Sequence, residues 1–178
     1  SYRMTMLAED PRLAAVLQRA ATLAQWGGGV AGSGQGLACH RMITAGREGR
    51  IALVASARRD DRGIRVDKLT AVVDIGRIIN VDIARQQIEG GLIFGMALAT
   101  GATSAYADGL PLTGRLGLMG LPVLSDCPEI EVEFVESAAD PFDPGELGVA
   151  VAAPAIANAL VASGSEPLHT LPLTMEQA

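Results

Sequence analysis

The chain has 178 residues, a net charge of −6 and 49% apolar residues, with one Trp, two Tyr and three Phe. That length fits one domain, or one and a half at most, and it allows a sizeable core built from Ala, Val, Leu and Ile rather than from rings. The acidic balance excludes a nucleic-acid footprint, which needs a basic face.

The nearest approach to a basic cluster is Arg58, Arg59, Arg62 and Arg65. Asp60, Asp61 and Asp67 interrupt it, so it reads as a solvated hairpin. No apolar run reaches the ~18 residues that a membrane span needs, and no signal peptide is recognisable. Cys39 and Cys127 fit neither a metal motif nor a disulfide framework. The first residue is Ser1 rather than Met. That reads as a segment of a longer chain and leaves cytoplasm and periplasm both open.

In chain order, the first 26 residues read as a helix, with Asp10 as cap and Pro11 at its first position. Leu13, Val16, Leu17, Ala20 and Leu23 recur at helical spacing. Residues 27–36 are Gly/Ser-rich and read as a linker. Residues 51–57 and 64–73 are two strands joined by the turn residues Asp60-Asp61-Arg62-Gly63. Asn80 offers a cap for a helix over 83–100, and Asp108-Gly109 signals a turn. Residues 111–128 are irregular. Over 129–136, Ile130, Val132 and Phe134 alternate with Glu129, Glu131 and Glu133, a strand with one core face and one solvated acidic face. Residues 141–149 read as a loop, and a third helix runs over 154–163 to Gly164. Without a βαβ rhythm the class is α+β: antiparallel hairpins in a mixed sheet packed with about three helices. The expected organisation is an N-terminal helix and linker over 1–30, then one domain over 37–178.

Two segments could carry chemistry. Ala84, Gln87, Gly91 and Gly95 fall on one helix face, with Ile88, Leu92 and Met96 opposite. Each interior Gly costs a helix about 1 kcal/mol against Ala, so Gly90, Gly91 and Gly95 need a reason. One reason is close packing against a strand. The other is a flat ligand or a second backbone against this face, with Gln87 offering an amide donor and acceptor. The second segment is Pro144-Gly145-Glu146-Leu147-Gly148. Its carboxylate reads either as an acid favoured by the dipole of the following helix or as a general base held at a cavity. His40 and His169 are lone histidines with no Ser or Cys nucleophile to pair with.

The order of Val73-Asp74-Ile75-Gly76-Arg77-Ile78-Ile79-Asn80, Gln87-Ile88-Glu89-Gly90-Gly91, Pro128-Glu129-Ile130-Glu131-Val132, Gly145-Glu146-Leu147-Gly148-Val149 and Ala153-Pro154-Ala155-Ile156-Ala157-Asn158-Ala159 resembles the molybdopterin-binding subunits of the xanthine dehydrogenase and aldehyde oxidase family. The nearest flavour is the isoquinoline 1-oxidoreductase beta-subunit type, in its C-terminal portion. Leu171-Pro172-Leu173 and the opening stretch from Leu7 to Trp26 fit the same pattern, so the resemblance covers nearly the whole chain.

The resemblance implies a molybdenum ion held by a molybdopterin dithiolene, with the protein supplying no metal ligand. It implies hydroxylation of an aldehyde or N-heterocycle carbon with water-derived oxygen. Glu146 matches the catalytic base and Gln87 the glutamine that contacts the pterin. The implied partners are the rest of the molybdopterin subunit, a small iron–sulfur subunit and a small-molecule substrate. The chain departs from the pattern at Leu147 and Val81, where proline is usual, and over 103–120, which lacks the aromatic and Asn/His residues often found there. It also lacks the Met-Gly-Gln-Gly segment; Ser33-Gly34-Gln35-Gly36 lies in the linker stretch. The expectation is a cofactor-binding domain that holds no molybdopterin by itself. The alternative is a stand-alone, non-catalytic scaffold domain or gene remnant.

Overall fold

A strand buried on both faces is apolar at consecutive positions rather than at every second one. Residues 51–57 have this property: every one of them is buried. The computed structural model, which describes residues 2–29 and 31–173, makes them the middle of a central strand. The helices are α1 (Tyr2–Met6), α2 (Pro11–Leu23), α3 (Val81–Thr100) and α4 (Leu147–Ala162). The strands are β1 (Gly34–Thr44), β2 (Arg47–Asp60), β3 (Gly63–Asp74), β4 (Tyr106–Ala107), β5 (Leu110–Pro111) and β6 (Glu129–Phe134).

The main sheet has the order β1-β2-β3-β6. Its first three strands form an antiparallel meander, and β6 pairs parallel to β3. Ile51, Leu53, Leu69, Ala71 and Val73 point to one face, where Ile88 and Leu92 of α3 and Leu147, Val151 and Ile156 of α4 cover them. Ala52, Val54 and Val72 point to the other face and meet Val16, Leu17 and Ala20 of α2. The result is three layers: α2, the sheet, then α3 with α4. This is the expected α+β class. Each fully buried Ile or Leu of this core contributes about 1.5–3 kcal/mol. Among the described residues no helix is long and apolar enough to cross a membrane.

Several boundaries differ from the sequence reading. The first helix is two. Asp10 sits at φ −125°, ψ 78° and accepts from the Leu13 N–H, and the residue before a proline avoids the helical region. The linker stretch ends early, because Gly34 and Gly36 already belong to β1. There α4 lies so close that a Cβ on Gly34 would stand 2.1 Å from Ala159 O, and one on Gly36 2.1 Å from Ala155 O. Helix α4 starts at Leu147, seven residues before Pro154, which sits inside it. Pro154 is exposed, so its ring points away from the sheet, and burial of Leu147, Val151 and Ala152 outweighs the one lost backbone bond. The acidic face of β6 is ion-paired rather than only solvated: Lys68 bridges Glu129 (2.9 Å) and Glu131 (3.0 Å), and Arg19 of α2 holds Glu133.

Charge fastens the start of α2 to the sheet. Arg50, 5% exposed, donates through Nε to Asp10 (2.9 Å) and through Nη2 to Glu48 (2.6 Å). Arg12 grips the buried Asp74 with two parallel bonds, Nε to Oδ2 at 2.8 Å and Nη2 to Oδ1 at 2.7 Å. Burial pushes the Asp74 carboxyl up. The Arg12 fork, the Gly76 N–H and the nearby Arg50 charge outweigh that and hold it below the usual carboxylate value. Asp10 is likewise raised by burial, but the Leu13 N–H, Arg50 and Arg41 leave it lowered.

Both groups titrate lower in the folded chain than in the unfolded one. Their stabilisation is therefore complete above the ordinary carboxylate range and disappears as the pH falls through that range to the folded values. Urea unfolding of the chain should show level stability from neutral pH down to mildly acidic pH, then a loss on further acidification. In Asp74→Asn the acid loss should be shallower; an unchanged pH slope in that variant would assign it to other carboxylates.

Candidate functional site

The site begins with glycine. Helix α3 starts at Asn80, whose side-chain oxygen accepts from the Ile83 N–H at 3.0 Å. Its Ile88, Leu92 and Met96 are in the core, as their spacing predicts. The face bearing Ala84, Gln87, Gly91 and Gly95 turns toward α4. A Cβ on Gly91 would stand 3.4 Å from Gly145 O, and one on Gly95 would stand 2.7 Å from Val149 O. From the other side, a Cβ on Gly148 would be 2.9 Å from Ile88 O and Leu92 N. The glycines of this face therefore let a second backbone approach, and that backbone is a helix rather than a strand. Gly90 has open space around it instead.

This crossing brings Gln87 and Glu146 to the same place. Both line a cleft of about 790 Å³, within the usual range for small-molecule sites. It is lined by residues of the segment from Ile75 to Gln87, by residues 141–146, and by Met42 and Thr44 of β1. A Cβ on Gly145 would lie 3.7 Å from Gln87 Oε1. Glu146 is the residue just before α4, at φ −106°, ψ −4°, and its side chain makes no capping bond. Neither Glu146 nor Gln87 has a side-chain partner among the described residues, and both are exposed to the cleft mouth. Its carboxylate therefore does not cap the helix through a hydrogen bond, and the helix dipole favours a negative charge there with or without such a bond.

The cleft holds two further ionisable side chains that sequence reasoning did not single out, Arg77 and Asp143. Asp143 is committed to its own loop, accepting from the Gly145 N–H at 3.0 Å. Arg77 lies in the quoted stretch from Val73 to Asn80, but nothing in its local pattern marks a cleft residue. Among the described residues no three His, Cys, Asp or Glu side chains are grouped so that they could hold a metal ion. The Gln87 amide, able both to donate and to accept, and the bare backbone at Gly145 beside it fit the edge of a flat heteroaromatic group.

Comparison with known proteins points the same way. Residues 54–128 match the family described as molybdopterin cofactor-binding domain, a stretch that includes Gln87 and stops short of Glu146. The chain is 29% identical over 174 residues to the isoquinoline 1-oxidoreductase subunit beta of Brevundimonas diminuta, covering 97% of this chain and 22% of that protein. It is 32% identical over 123 residues to the aldehyde oxidoreductase molybdenum-binding subunit PaoC of Escherichia coli (strain K12), covering 64% and 17%. In three dimensions it is similar to quinoline 2-oxidoreductase from Pseudomonas putida 86, with a TM-score of 0.56 and 25% identity, over 66% of this chain and 16% of that one. The chain thus spans about a fifth of the length of the curated relatives it matches.

The helix crossing that joins the two candidate residues has no room for a side chain at Gly148. Gly148→Val should destabilise the chain by about 1–3 kcal/mol through overpacking, read as a lower urea midpoint at unchanged slope. Wild-type stability in that variant would show that α3 and α4 are not in backbone contact.

Proposed function

We propose that the chain is part of a molybdopterin-binding subunit of the xanthine dehydrogenase and aldehyde oxidase family, and that it forms one wall of the active site of a molybdenum hydroxylase acting on an aldehyde or N-heterocycle carbon. Glu146 is the general base of that reaction and Gln87 contacts the pterin. One observation supports this reading above the others: two side chains 59 positions apart, both without a partner among the described residues, line one cleft at a glycine-lined helix crossing.

When bound, the molybdenum cofactor supplies the two-electron redox chemistry and the Lewis acidity that eases deprotonation of a water-derived hydroxyl. The chain's own residues do the rest. Glu146 accepts the proton on a carboxylate oxygen that no donor among the described residues occupies. The following helix end favours its negative charge before the proton arrives. Gln87 orients the flat group through its amide, and Gly145 keeps the space between Gln87 and the base free of any Cβ. The remainder of the larger subunit closes the cleft, and a small iron–sulfur subunit takes the electrons onward. The relatives' own names, "subunit beta" and "molybdenum-binding subunit", fit a protein that works within a complex.

Replacing the base tests the assignment directly. Glu146→Gln in the intact enzyme should lower kcat by about 10²–10⁴-fold, the usual worth of a general base, with molybdenum content unchanged. Turnover at the unaltered rate would remove Glu146 from the mechanism.

The cleft is open at its mouth, so this chain by itself supplies part of a cradle. Metal analysis of the purified chain should find no stoichiometric molybdenum; one molybdenum per chain would overturn that expectation.

A further inference from the structure

Arg12 lies on the opposite face of the sheet from the cleft, in the first turn of α2. Its guanidinium nevertheless reaches the roots of both loops that wall the cleft. Beyond its two bonds to Asp74, Nη2 also points to Ser137 Oγ at 3.4 Å. Asp74 Oδ1 in turn accepts from the Gly76 N–H at 3.1 Å, and Ser137 Oγ accepts from the Ala139 N–H at 3.2 Å. The two loops are then stitched to each other. The Arg77 N–H donates to Ala139 O and the Phe142 N–H to Ile75 O, both at 2.9 Å. Gly76 lies at φ +70°, and a Cβ there would stand 2.2 Å from Asp140 O, so the loops touch through backbone.

A staple for α2 alone would need none of this, because Asp10, Arg50 and Glu48 already fasten the start of that helix. Arg12 instead spans one side chain from each loop root. We propose that Arg12 is a positioning residue for the base: it clamps residues 74–77 to residues 137–142 and so sets how the 143–146 segment presents Glu146 to the cleft. This rests on the reading of Glu146 as the base.

The test uses the intact enzyme, with kcat expressed per molybdenum. Arg12→Ala should lower kcat by about 10–100-fold with KM little changed, as expected when a reacting group is displaced by a fraction of an ångström to an ångström. Ser137→Ala is a mild variant that removes one arm of the clamp and keeps the Asp74 pair. It should move kcat in the same direction by a smaller factor. Leu17→Ala loosens α2 through its apolar face and serves as the control: it should lower the melting temperature but leave kcat unchanged. Amide exchange at residues 75–77 and 139–142 should accelerate in the Arg12 and Ser137 variants and stay unchanged in the Leu17 variant. In a Glu146→Gln background, Arg12→Ala should cost the residual turnover nothing further, because a residue acting through Glu146 has nothing left to position.

An equal loss in both backgrounds overturns the proposal, as does a loss no greater than that of Leu17→Ala. If Glu146→Gln turns over normally, the base assignment itself has failed. If Glu146→Gln is impaired while Arg12→Ala and Ser137→Ala turn over at the unaltered rate, only the clamp has failed.

Discussion

Backbone contact at helix α4 is the constraint on which the rest of this structure depends. On one side α4 touches β1, where Gly34 and Gly36 leave no Cβ between strand and helix. On the other it touches α3, where Gly95 and its own Gly148 do the same. A helix held by backbone from two directions has little freedom to slide or roll, since side chains can change rotamer and backbone cannot. The residue that precedes its first turn, Glu146, inherits that rigidity. A functional carboxylate is better positioned by an element end fixed in this way than by a free loop.

The second support is electrostatic and comes from the far side of the sheet. Asp10, Arg12, Arg50 and Asp74 form alternating pairs in which the partly or fully buried members find an opposite charge. Breaking a buried pair costs more than forming it gains, because the remaining charge is stranded. That asymmetry ties α2 to the sheet and the end of β3 to the loops beside the cleft. The apolar contacts of Val16, Leu17 and Ala20 give α2 its adhesion, and the charges give it register.

The site combines chemistry from three unrelated stretches of chain: the segment before α3, α3 itself and the loop before α4. None of these groups is remarkable alone. Gln87 and Glu146 are exposed polar residues of ordinary type, and their lack of partners is what separates them from the capping and ion-pairing groups elsewhere. Asp143, one of the acids in the same cleft, is already used by its own loop. The family match ends before Glu146, so the role proposed for the carboxylate rests on its place in the cleft and on the resemblance around it.

Local pattern alone determined a good deal of this protein. The α+β class, the β2–β3 hairpin with its Asp60–Gly63 turn, the Asn80 cap and the alternating β6 strand were legible because each depends on residues within a few positions of one another. The order of motifs also carried the family resemblance and drew attention to the two candidate residues. Other features were not legible. Strand β1 was hidden because its glycines read as linker until α4 is known to press on them. The true start of α4 was hidden because Pro154 argues against a helix that only core burial sustains. The convergence of Gln87 with Glu146, and the reach of Arg12 to Asp74 and Ser137, arise between residues about 60 to 125 positions apart. Tertiary structure alone decides such contacts, since side-chain type and local spacing constrain only what lies within a turn or a hairpin, while long-range approach is set by which backbones can touch.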